Sequence, residues 1–339
     1  MAKSSLSGAS IAGIATCVPE QKVANIDLTD QFDEADLRKI IGMVGIKTRH
    51  ISNGKQCSTD LCLAAAKMLL EKLQWETDSI DGLIMVTQSP DYLLPSSSCL
   101  LHRDLGLSED CATFDIGLGC SGYPYGLWVA HMMIAAGQCR RVILAHGETP
   151  SLFTNPTDRA TRLLFGDAGS ATAIEADPNG SRWHYNLKTD GAGFDALIIP
   201  AGGFRERQPQ SPDHCFVAMN GPQLFTFTTQ EVPVLINETL SHAELGPENI
   251  DYFVFHQANR FITRHIAKKM HVDEAKIPST IEEYGNTGGV SVPLTITKGI
   301  DKLDSNALVM ALGYGVGLSW GSALFELCAN THLLHTELS

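Results

Sequence analysis

The sequence is poor in positive charge. It has 25 Lys and Arg residues against 38 Asp and Glu, which gives a formal net charge of −13 and an isoelectric point near 5.3. A nucleic-acid-binding protein needs a basic face to neutralise phosphates, and a lipid-binding helix needs a basic cluster. The composition therefore argues against nucleic acid and against an anionic membrane surface as partners.

Long apolar runs are also missing. No stretch reaches the roughly 18 apolar residues that a membrane helix needs, and residues 1–20 contain one lysine and too short an apolar segment for a secretory signal. The nine cysteines are odd in number and scattered, which favours reduced thiols over a disulfide framework. We therefore expect a cytoplasmic protein.

Metal-binding motifs are absent from the sequence, which has no CxxC pair and no HExxH. The sequence therefore lacks the Cys and His spacings that are typical of structural and catalytic zinc sites. A GxGxxG spacing occurs at 117–122 (GLGCSG), but a lone match of this kind is weak evidence for a dinucleotide site. We predict no metal site and no dinucleotide site.

What the sequence does have is apolar segments that alternate with helical patterns. The chain has 339 residues, 44% of them hydrophobic, enough for a large core and about two domains. Strands are predicted at 82–87, 112–117, 141–147, 170–176, 251–257, 307–315 and 321–327. Helices are predicted at Asp60–Leu73, Gly122–Ala136, Pro222–His242 and Asn259–Met270.

This alternation indicates a mixed α/β architecture with buried sheets. The turn-rich segment EADPNGS at 175–181 divides the chain nearly in half. We place an N-terminal half at 1–177 and a C-terminal half at 178–339. Each half contains a strand, then a reactive polar residue, then a helix.

Cys120 is the first candidate for chemistry. It lies in FDIGLGCSGYPYGLWVA (114–130), between a predicted strand and a predicted helix. Amides at a helix N-terminus lower the pKa of a thiol, and neighbouring glycines permit a tight turn and close approach of a substrate. Alone, Cys120 could equally be a buried core cysteine.

His256 and Asn286 are the other two candidates. His256 ends the predicted strand in DYFVFHQAN, where α/β sheets commonly place ligand chemistry. Asn286 stands among glycines in YGNTGGVSVPL and could donate to an oxyanion without titrating. Separately, each could also be structural, as a strand-end histidine or a turn asparagine.

Together these segments resemble the β-ketoacyl-acyl-carrier-protein synthase III family of thiolase-fold condensing enzymes. The resemblance covers nearly the whole chain. Besides the three segments above, it rests on GIATCVPE near the start, VGIKTRHI at 44–51, NPTDRATRLLFGDAGSATAI at 155–174 and GYGVGLSWGSALFE at 313–326. It implies a five-layered α/β/α/β/α fold made of two similar halves.

The resemblance also implies an acyltransferase with no resident cofactor. Cys120 would attack an acyl-coenzyme A or acyl-carrier thioester, with the backbone amides of Cys120 and Val316 as the oxyanion hole, although the family usually has glycine at 316. His256 and Asn286 would then stabilise the enolate formed when a malonyl thioester, expected to be malonyl-acyl-carrier protein, loses carbon dioxide. The product would be a β-ketoacyl thioester.

Substrate-binding positions follow from the same resemblance. It implies a homodimer in which Leu94 of the loop 89–98 contributes near the partner's acyl pocket. The remaining matches to substrate-binding positions are Arg159, Phe165, Met219 and Asn259.

Several positions depart from the housekeeping pattern. Lys39 and Met43 replace a Trp and an Arg that hold the coenzyme A adenine, Pro222 replaces an asparagine, and Phe261 replaces a basic residue. A basic rim attracts an acidic carrier protein, and part of that rim is gone. We therefore expect a specialised member, which uses an acyl donor other than acetyl-coenzyme A or acts in a secondary or saccharide-linked pathway, and not the enzyme that initiates fatty-acid synthesis.

Three alternatives are weighed against this hypothesis. The first is an acyltransferase on the same fold that moves the acyl group to an oxygen, nitrogen or sulfur acceptor without decarboxylation. The second is a non-catalytic subunit, but such partners usually lose the cysteine or the histidine. The third is a papain-like peptidase, which shares the order Cys, His, Asn but lacks its cysteine signature here.

Overall fold

A computed structural model describes residues 2–300 and 303–339, which form strands and helices in alternation. The strands are β1 Ala2–Leu6, β2 Ala9–Pro19, β3 Lys22–Ala24, β4 Thr48–His50, β5 Gly82–Val86, β6 Ala112–Ile116, β7 Arg141–Glu148, β8 Ala168–Ala176, β9 Trp183–Thr189, β10 Leu197–Ile198, β11 Ala218–Met219, β12 Tyr252–Phe255, β13 Ala307–Gly315, β14 Ser319–Leu327 and β15 His332–Leu338. The helices are α1 Glu34–Val44, α2 Ser58–Leu73, α3 Ser97–Leu105, α4 Gly122–Ala135, α5 Arg159–Arg162, α6 Gly221–Ala243, α7 Arg260–Met270, α8 Ile281–Tyr284 and α9 Ser291–Gly299.

Two large mixed sheets form the framework. The first has the strand order β15-β2-β8-β7-β5-β6, and the second has the order β1-β9-β14-β13-β12. In the first sheet β5 runs parallel to both β6 and β7, and in the second β12 runs parallel to β13. Because parallel strands end at the same edge of a sheet, polar residues that follow their carboxyl ends can lie close together there.

The helices divide into three layers around the two sheets. Helix α4 packs between the sheets, against β5, β7, β13 and β14, and α9 joins it against β2 and β12. Helices α2 and α3 cover the outside of the first sheet, and α6 and α7 cover the outside of the second. The result is the expected α/β/α/β/α order, and it explains why α4 is apolar on nearly every side.

The terminal strands cross between the two sheets. β1 pairs with β9 in the second sheet, whereas β15 pairs with β2 in the first. The sheet of the N-terminal half therefore contains one strand from the C-terminal end, and the reverse is also true. The boundary between residues 177 and 178 stays a prediction. Strands β1 and β15 do not follow it, because each pairs with the sheet of the other half.

The predicted elements are present with small differences at their ends. Each of the seven predicted strands and four predicted helices matches one in the structure to within two residues at either end. Local capping explains some limits: the Asn259 side chain accepts the Ile262 backbone N–H and starts α7 one residue later than expected. The sequence interpretation missed α1, which Asp33 caps in the same way.

None of the helices within residues 2–300 and 303–339 combines the length and the apolar character that a bilayer crossing requires.

Candidate active site

Cys120 lies in the turn between β6 and α4, two residues before the first helical residue. The turn is closed by the Gly122 backbone N–H, which donates to the Gly119 carbonyl at 2.7 Å. Gly315, at the end of β13, lies directly against the cysteine: a Cβ there would be 2.7 Å from Cys120 Cβ and 2.8 Å from Sγ. Glycine is required at 315 because any side chain would occupy the place of the sulfur.

Cys120 is half-buried, and the electrostatic surroundings of its thiol are mixed. Burial is the largest effect and raises the pKa of Cys120 to about 11, to which the nearby Glu148 adds. Hydrogen bonds from the backbone of Val316 and of Cys120 itself act in the opposite direction. The lowered pKa that we expected from the helix N-terminus is wrong, since the loss of solvation outweighs the backbone amides.

His256 follows β12 and is held from two sides. Its Nδ1 lies 2.8 Å from Ser291 Oγ, which also accepts the Gln257 backbone N–H at 3.0 Å. Burial lowers the pKa of His256 to about 4, although a hydrogen bond to the Gly288 backbone opposes this. The imidazole is therefore neutral at neutral pH, and Ser291 can donate its hydrogen to Nδ1 so that Nε2 carries the ring hydrogen.

Asn286 is anchored by its backbone and oriented by its side chain. Its N–H donates to the Leu164 carbonyl at 2.8 Å, and its carbonyl accepts the Gly166 N–H at 3.0 Å. Its Oδ1 accepts the Gly288 backbone N–H at 3.0 Å. With the oxygen held in this way, the Nδ2 hydrogens are the part of the amide left to face a ligand.

Two glycine-containing segments bring these three residues to one place. Gly288 hydrogen-bonds to Asn286 Oδ1 and to His256, and it lines the same cavity as Cys120. At the end of β13, Tyr314 donates its hydroxyl to the His256 carbonyl at 3.0 Å, while Gly315 touches Cys120. The structure thus gathers Cys120, His256, Asn286 and Val316 around one centre.

An apolar cavity of about 340 Å³ opens beside Cys120. Phe165 and Val316 are among its lining residues, and the role of Phe165 in substrate binding stays a prediction. Its other lining residues are mostly apolar and include Pro150, Phe153, Phe194, Leu197, Ile198, Ile199 and Val217. A hydrocarbon chain attached to the sulfur would find matching surface there.

Two predicted substrate positions lie away from this cavity. Met219 is half-buried in the cluster that contains Phe165 and Val217 but is not among the lining residues of the cavity. Leu94 is 78% exposed, next to Leu93 at 73%. Neither touches the sulfur within one chain, and their roles in substrate binding stay predictions.

Arg159 and Asn259 are engaged elsewhere in the chain. Arg159 Nη1 forms an ion pair with Asp36 Oδ2 of α1, and both side chains are about half exposed. The side-chain oxygen of Asn259 caps α7. Of the replaced positions, Met43 is exposed and Phe261 stacks on Phe225 at a centroid distance of 5.5 Å. The binding roles of Arg159 and Asn259 stay predictions.

Sequence reasoning missed three buried ionisable residues next to the site. Glu148 lines the cavity with Cys120, and His146 lies beside it on β7. Arg49 is 1% exposed and donates from Nη1 to the Phe165 carbonyl at 2.9 Å. This hydrogen bond holds the backbone of a residue that lines the cavity. The signal for Glu148 and His146 was present: both are polar residues at the carboxyl end of an apolar strand.

A metal ion has no ready set of ligands. Within the part of the chain that the structure describes, no three His, Cys, Asp or Glu side chains come together as a metal site would need.

The fold and the site define a class of protein: a thiolase-fold enzyme with a cysteine beside an apolar cavity, and with a neutral histidine and an asparagine that Gly288 links to that cavity. Residues 114–191 match the profile of 3-oxoacyl-[acyl-carrier-protein] synthase III, and residues 240–327 match the profile of its C-terminal part. The chain belongs to the 3-oxoacyl-[acyl-carrier-protein] synthase III family.

Individual relatives agree with this assignment. The chain is 33% identical to a putative 3-oxoacyl-[acyl-carrier-protein] synthase 3 of Campylobacter jejuni, over 97% of this chain and 98% of that protein. It is also 33% identical to the β-ketoacyl-[acyl-carrier-protein] synthase III of Streptococcus gordonii, over 94% and 99%. A solved 3-oxoacyl-(acyl-carrier protein) synthase from Burkholderia xenovorans LB400 superposes with a TM-score of 0.96 at 38% identity, over 99% of each chain. The predicted family and fold are confirmed.

Proposed function

We propose that the chain transfers an acyl group from a thioester to Cys120 and then condenses it with a malonyl thioester, with malonyl-acyl-carrier protein as the extender. The observation that carries the proposal is the convergence on one sulfur. The backbone amides of Cys120 and Val316 hydrogen-bond to it, and Gly288, which lines the same cavity, hydrogen-bonds to both His256 and Asn286. That set of donors suits two successive oxyanions.

The first half-reaction uses the sulfur and the two amides. Cys120 Sγ attacks the thioester carbonyl, the carbonyl oxygen becomes an oxyanion near the amides of Cys120 and Val316, and the donor leaves as a free thiol that takes the proton. Val316 keeps the backbone N–H that this role requires, so its side chain does not prevent it. The cavity beside the sulfur receives the acyl chain.

The second half-reaction uses His256 and Asn286. The malonyl carboxylate leaves as carbon dioxide, and the electrons of the broken bond form an enolate. His256 Nε2–H and the Asn286 amide donate hydrogen bonds to its oxygen. The carbanion attacks the acyl carbonyl on Cys120, and release of the sulfur gives the β-ketoacyl thioester. Neither donor has to change its protonation state for this step.

The acyl donor is proposed to be larger than acetyl. An acetyl group would leave most of the 340 Å³ cavity and its aromatic lining without contact. This agrees with the loss of the housekeeping residues at positions 39 and 43. Coenzyme A and acyl-carrier thioesters remain the two donor forms to be tested.

A second copy of the chain is the proposed partner beside the carrier protein. β6 lies at the open edge of the first sheet, and Phe114 on that strand is 37% exposed. The loop residues Leu93 and Leu94 add two exposed apolar side chains. An unpaired strand edge with exposed apolar residues favours pairing between copies of the chain. Analytical ultracentrifugation tests this: the wild type should sediment as a dimer, and Leu94→Asp should weaken that dimer.

Two further parts of the proposal follow from the chemistry. The steps above need no resident cofactor, because the thiol supplies the nucleophile, the imidazole and amide groups supply the hydrogen bonds, and the Cys120 thiolate released at the end takes its proton from water. All nine cysteines are unpaired, which supports a reducing compartment such as the cytoplasm.

Intact-mass spectrometry tests the function directly. Incubation with a panel of acyl-coenzyme A and acyl-carrier donors should add one acyl mass, located on Cys120 by peptide mapping and absent from Cys120→Ala. A malonyl thioester should then remove the adduct and release one carbon dioxide per acyl group. Condensation by Cys120→Ala at the wild-type rate would refute the proposal. Loss of the adduct to an amine, alcohol or thiol without carbon dioxide would favour the acyltransferase alternative.

A further inference from the structure

His146 is a buried histidine that the proposed reaction does not use. Its side chain is 0% exposed, and neither ring nitrogen has a hydrogen-bond partner. Leaving a buried polar group unpaired is unfavourable, so two on one side chain call for an explanation. The ring lies against the turn of the nucleophile and the loop after Asn286. A Cβ on Gly122 would be 3.1 Å from its Cε1, and one on Gly289 2.2 Å.

Glu148 lies two residues along β7, on the same face of the strand. It is 3% exposed, and its oxygens accept the Gln88 backbone N–H at 3.0 Å and the Ser89 hydroxyl at 3.1 Å. The carboxyl lines the cavity that contains Cys120. Glu148 Oε1 is 3.9 Å from His146 Nε2, so an acid and an imidazole lie side by side behind the nucleophile.

The groups that face Glu148 disfavour its charged form. Burial is the largest effect and the Asp167 carboxylate adds to it, and together they raise the pKa of Glu148 to about 8 against its two hydrogen bonds. The Cys120 and Cys62 thiols are the other titratable groups that feel this carboxyl. Arg49 acts on Asp167, not directly on Glu148.

His146 is uncharged for a similar reason. Burial, and then the neighbouring His256, lower the pKa of His146 to about 3. At neutral pH the pair thus consists of a carboxylic acid with a hydrogen to donate and an imidazole with a nitrogen free to accept it. Glu148 Oε1 and His146 Nε2 are 3.9 Å apart, and a movement of about 1 Å would bring them within hydrogen-bond distance.

We propose that Glu148 and His146 form a proton-holding pair that tunes the ionisation of Cys120. While the hydrogen stays between the carboxyl and His146 Nε2, no negative charge faces the sulfur and the thiolate can form. When Glu148 releases this proton to solvent, its carboxylate opposes the thiolate through the shared cavity. Both are positioning residues, because they act through Cys120, and the inference rests on Cys120 being the nucleophile of the proposed function.

The test is the rate of Cys120 alkylation by iodoacetamide as a function of pH, read by peptide mapping. A thiolate-dependent rate rises about tenfold per pH unit below the pKa of the thiol. In the wild type this rise should flatten near pH 8, where Glu148 ionises. In Glu148→Gln the flattening should disappear, and above pH 8 Cys120 should react severalfold faster, about tenfold for each unit by which the pKa of the thiol falls. In His146→Leu the flattening should move to lower pH.

Cys99 and Cys215 are exposed in the same chain and provide the internal control, since their curves should not change in either variant. A wild-type curve for Cys120 without flattening would overturn the proposal even if no variant folds. So would superimposable curves for wild type and Glu148→Gln, which a purely packing role predicts. If the curves behave as expected but no acyl thioester labels Cys120, the proposed function fails and the tuning pair stands.

Discussion

Two regions of the molecule, the inner site around Cys120 and the predicted coenzyme A entrance around Arg159, differ in how firmly the fold holds their side chains. In the inner site, defined by Cys120, His256, Asn286 and Val316, each residue is held by a hydrogen bond. The His256 ring bonds to Ser291, the Asn286 amide to the Gly288 backbone, and the Cys120 thiol to the Val316 backbone. At the entrance, defined by Asp36, Lys39, Met43 and Arg159, side chains are exposed or half exposed, and Arg159 pairs with Asp36 of its own chain.

The difference teaches where reaction and specificity are encoded. Oxyanion chemistry needs donors that are already oriented, because reorganising them during the reaction would raise the barrier. Backbone contacts supply that order in the inner site. The entrance meets the part of a substrate that does not react, and its residues can change without loss of the chemistry. We therefore expect substitutions to lose effect from the sulfur outward.

The largest effect after loss of the sulfur itself is expected for Asn286→Ala. The variant should still be acylated on Cys120, because the amides of Cys120 and Val316 are untouched, but condensation should fall by about a hundredfold or more, as for other lost oxyanion donors. Acyl adduct and carbon dioxide release are measured in the same sample. An equal fall in both steps would show that Asn286 acts on the fold of the inner site and not on the enolate.

Gly315→Ala tests whether the position of the sulfur matters. The new methyl group would lie 2.8 Å from Cys120 Sγ, so the sulfur must move away from the amides. A displacement of about 1 Å can cost about a hundredfold in rate, and here it should slow acylation first. Gly202→Ala is a matched control, because that glycine has positive φ and open space around it. Normal acylation by Gly315→Ala would contradict the predicted oxyanion hole.

Glu148→Gln should change the pH dependence of stability. A carboxyl whose pKa is raised to about 8 favours the folded state below its ordinary value near 4.5 and loses this contribution as the pH rises towards 8. The wild type should therefore lose stability relative to Glu148→Gln between about pH 5 and pH 9. Thermal unfolding of both proteins measures this, and we expect a gap of several degrees at pH 9, roughly what a few kcal/mol produce in a chain of this size. A constant difference across that range would place the ionisation of Glu148 elsewhere.

The two regions also show what could be predicted from sequence. The apolar strand periods and the order of Cys, His and Asn motifs located the sheets, α4 and the inner site, because these depend on local pattern and on motifs fixed by the chemistry. The strand-end positions of His146 and Glu148 could be read from the sequence in this way, but their burial as a pair and the raised pKa of Cys120 could not. They depend on burial between residues that β7, β13 and the loop after Asn286 bring together only in the folded chain.

The smallest effect is expected at the entrance, for Arg159→Ala. Its ion pair with Asp36 is exposed, and such pairs contribute about 0–1 kcal/mol, so the free energy of unfolding should change little. Because the guanidinium is already engaged, KM for acyl-coenzyme A should rise less than about tenfold, with kcat unchanged. Asp36→Asn releases Arg159 and should lower KM for coenzyme A donors but not for acyl-carrier donors. A much larger rise in KM for Arg159→Ala would mean that the ion pair opens when coenzyme A binds, and that the entrance is as strictly determined as the inner site.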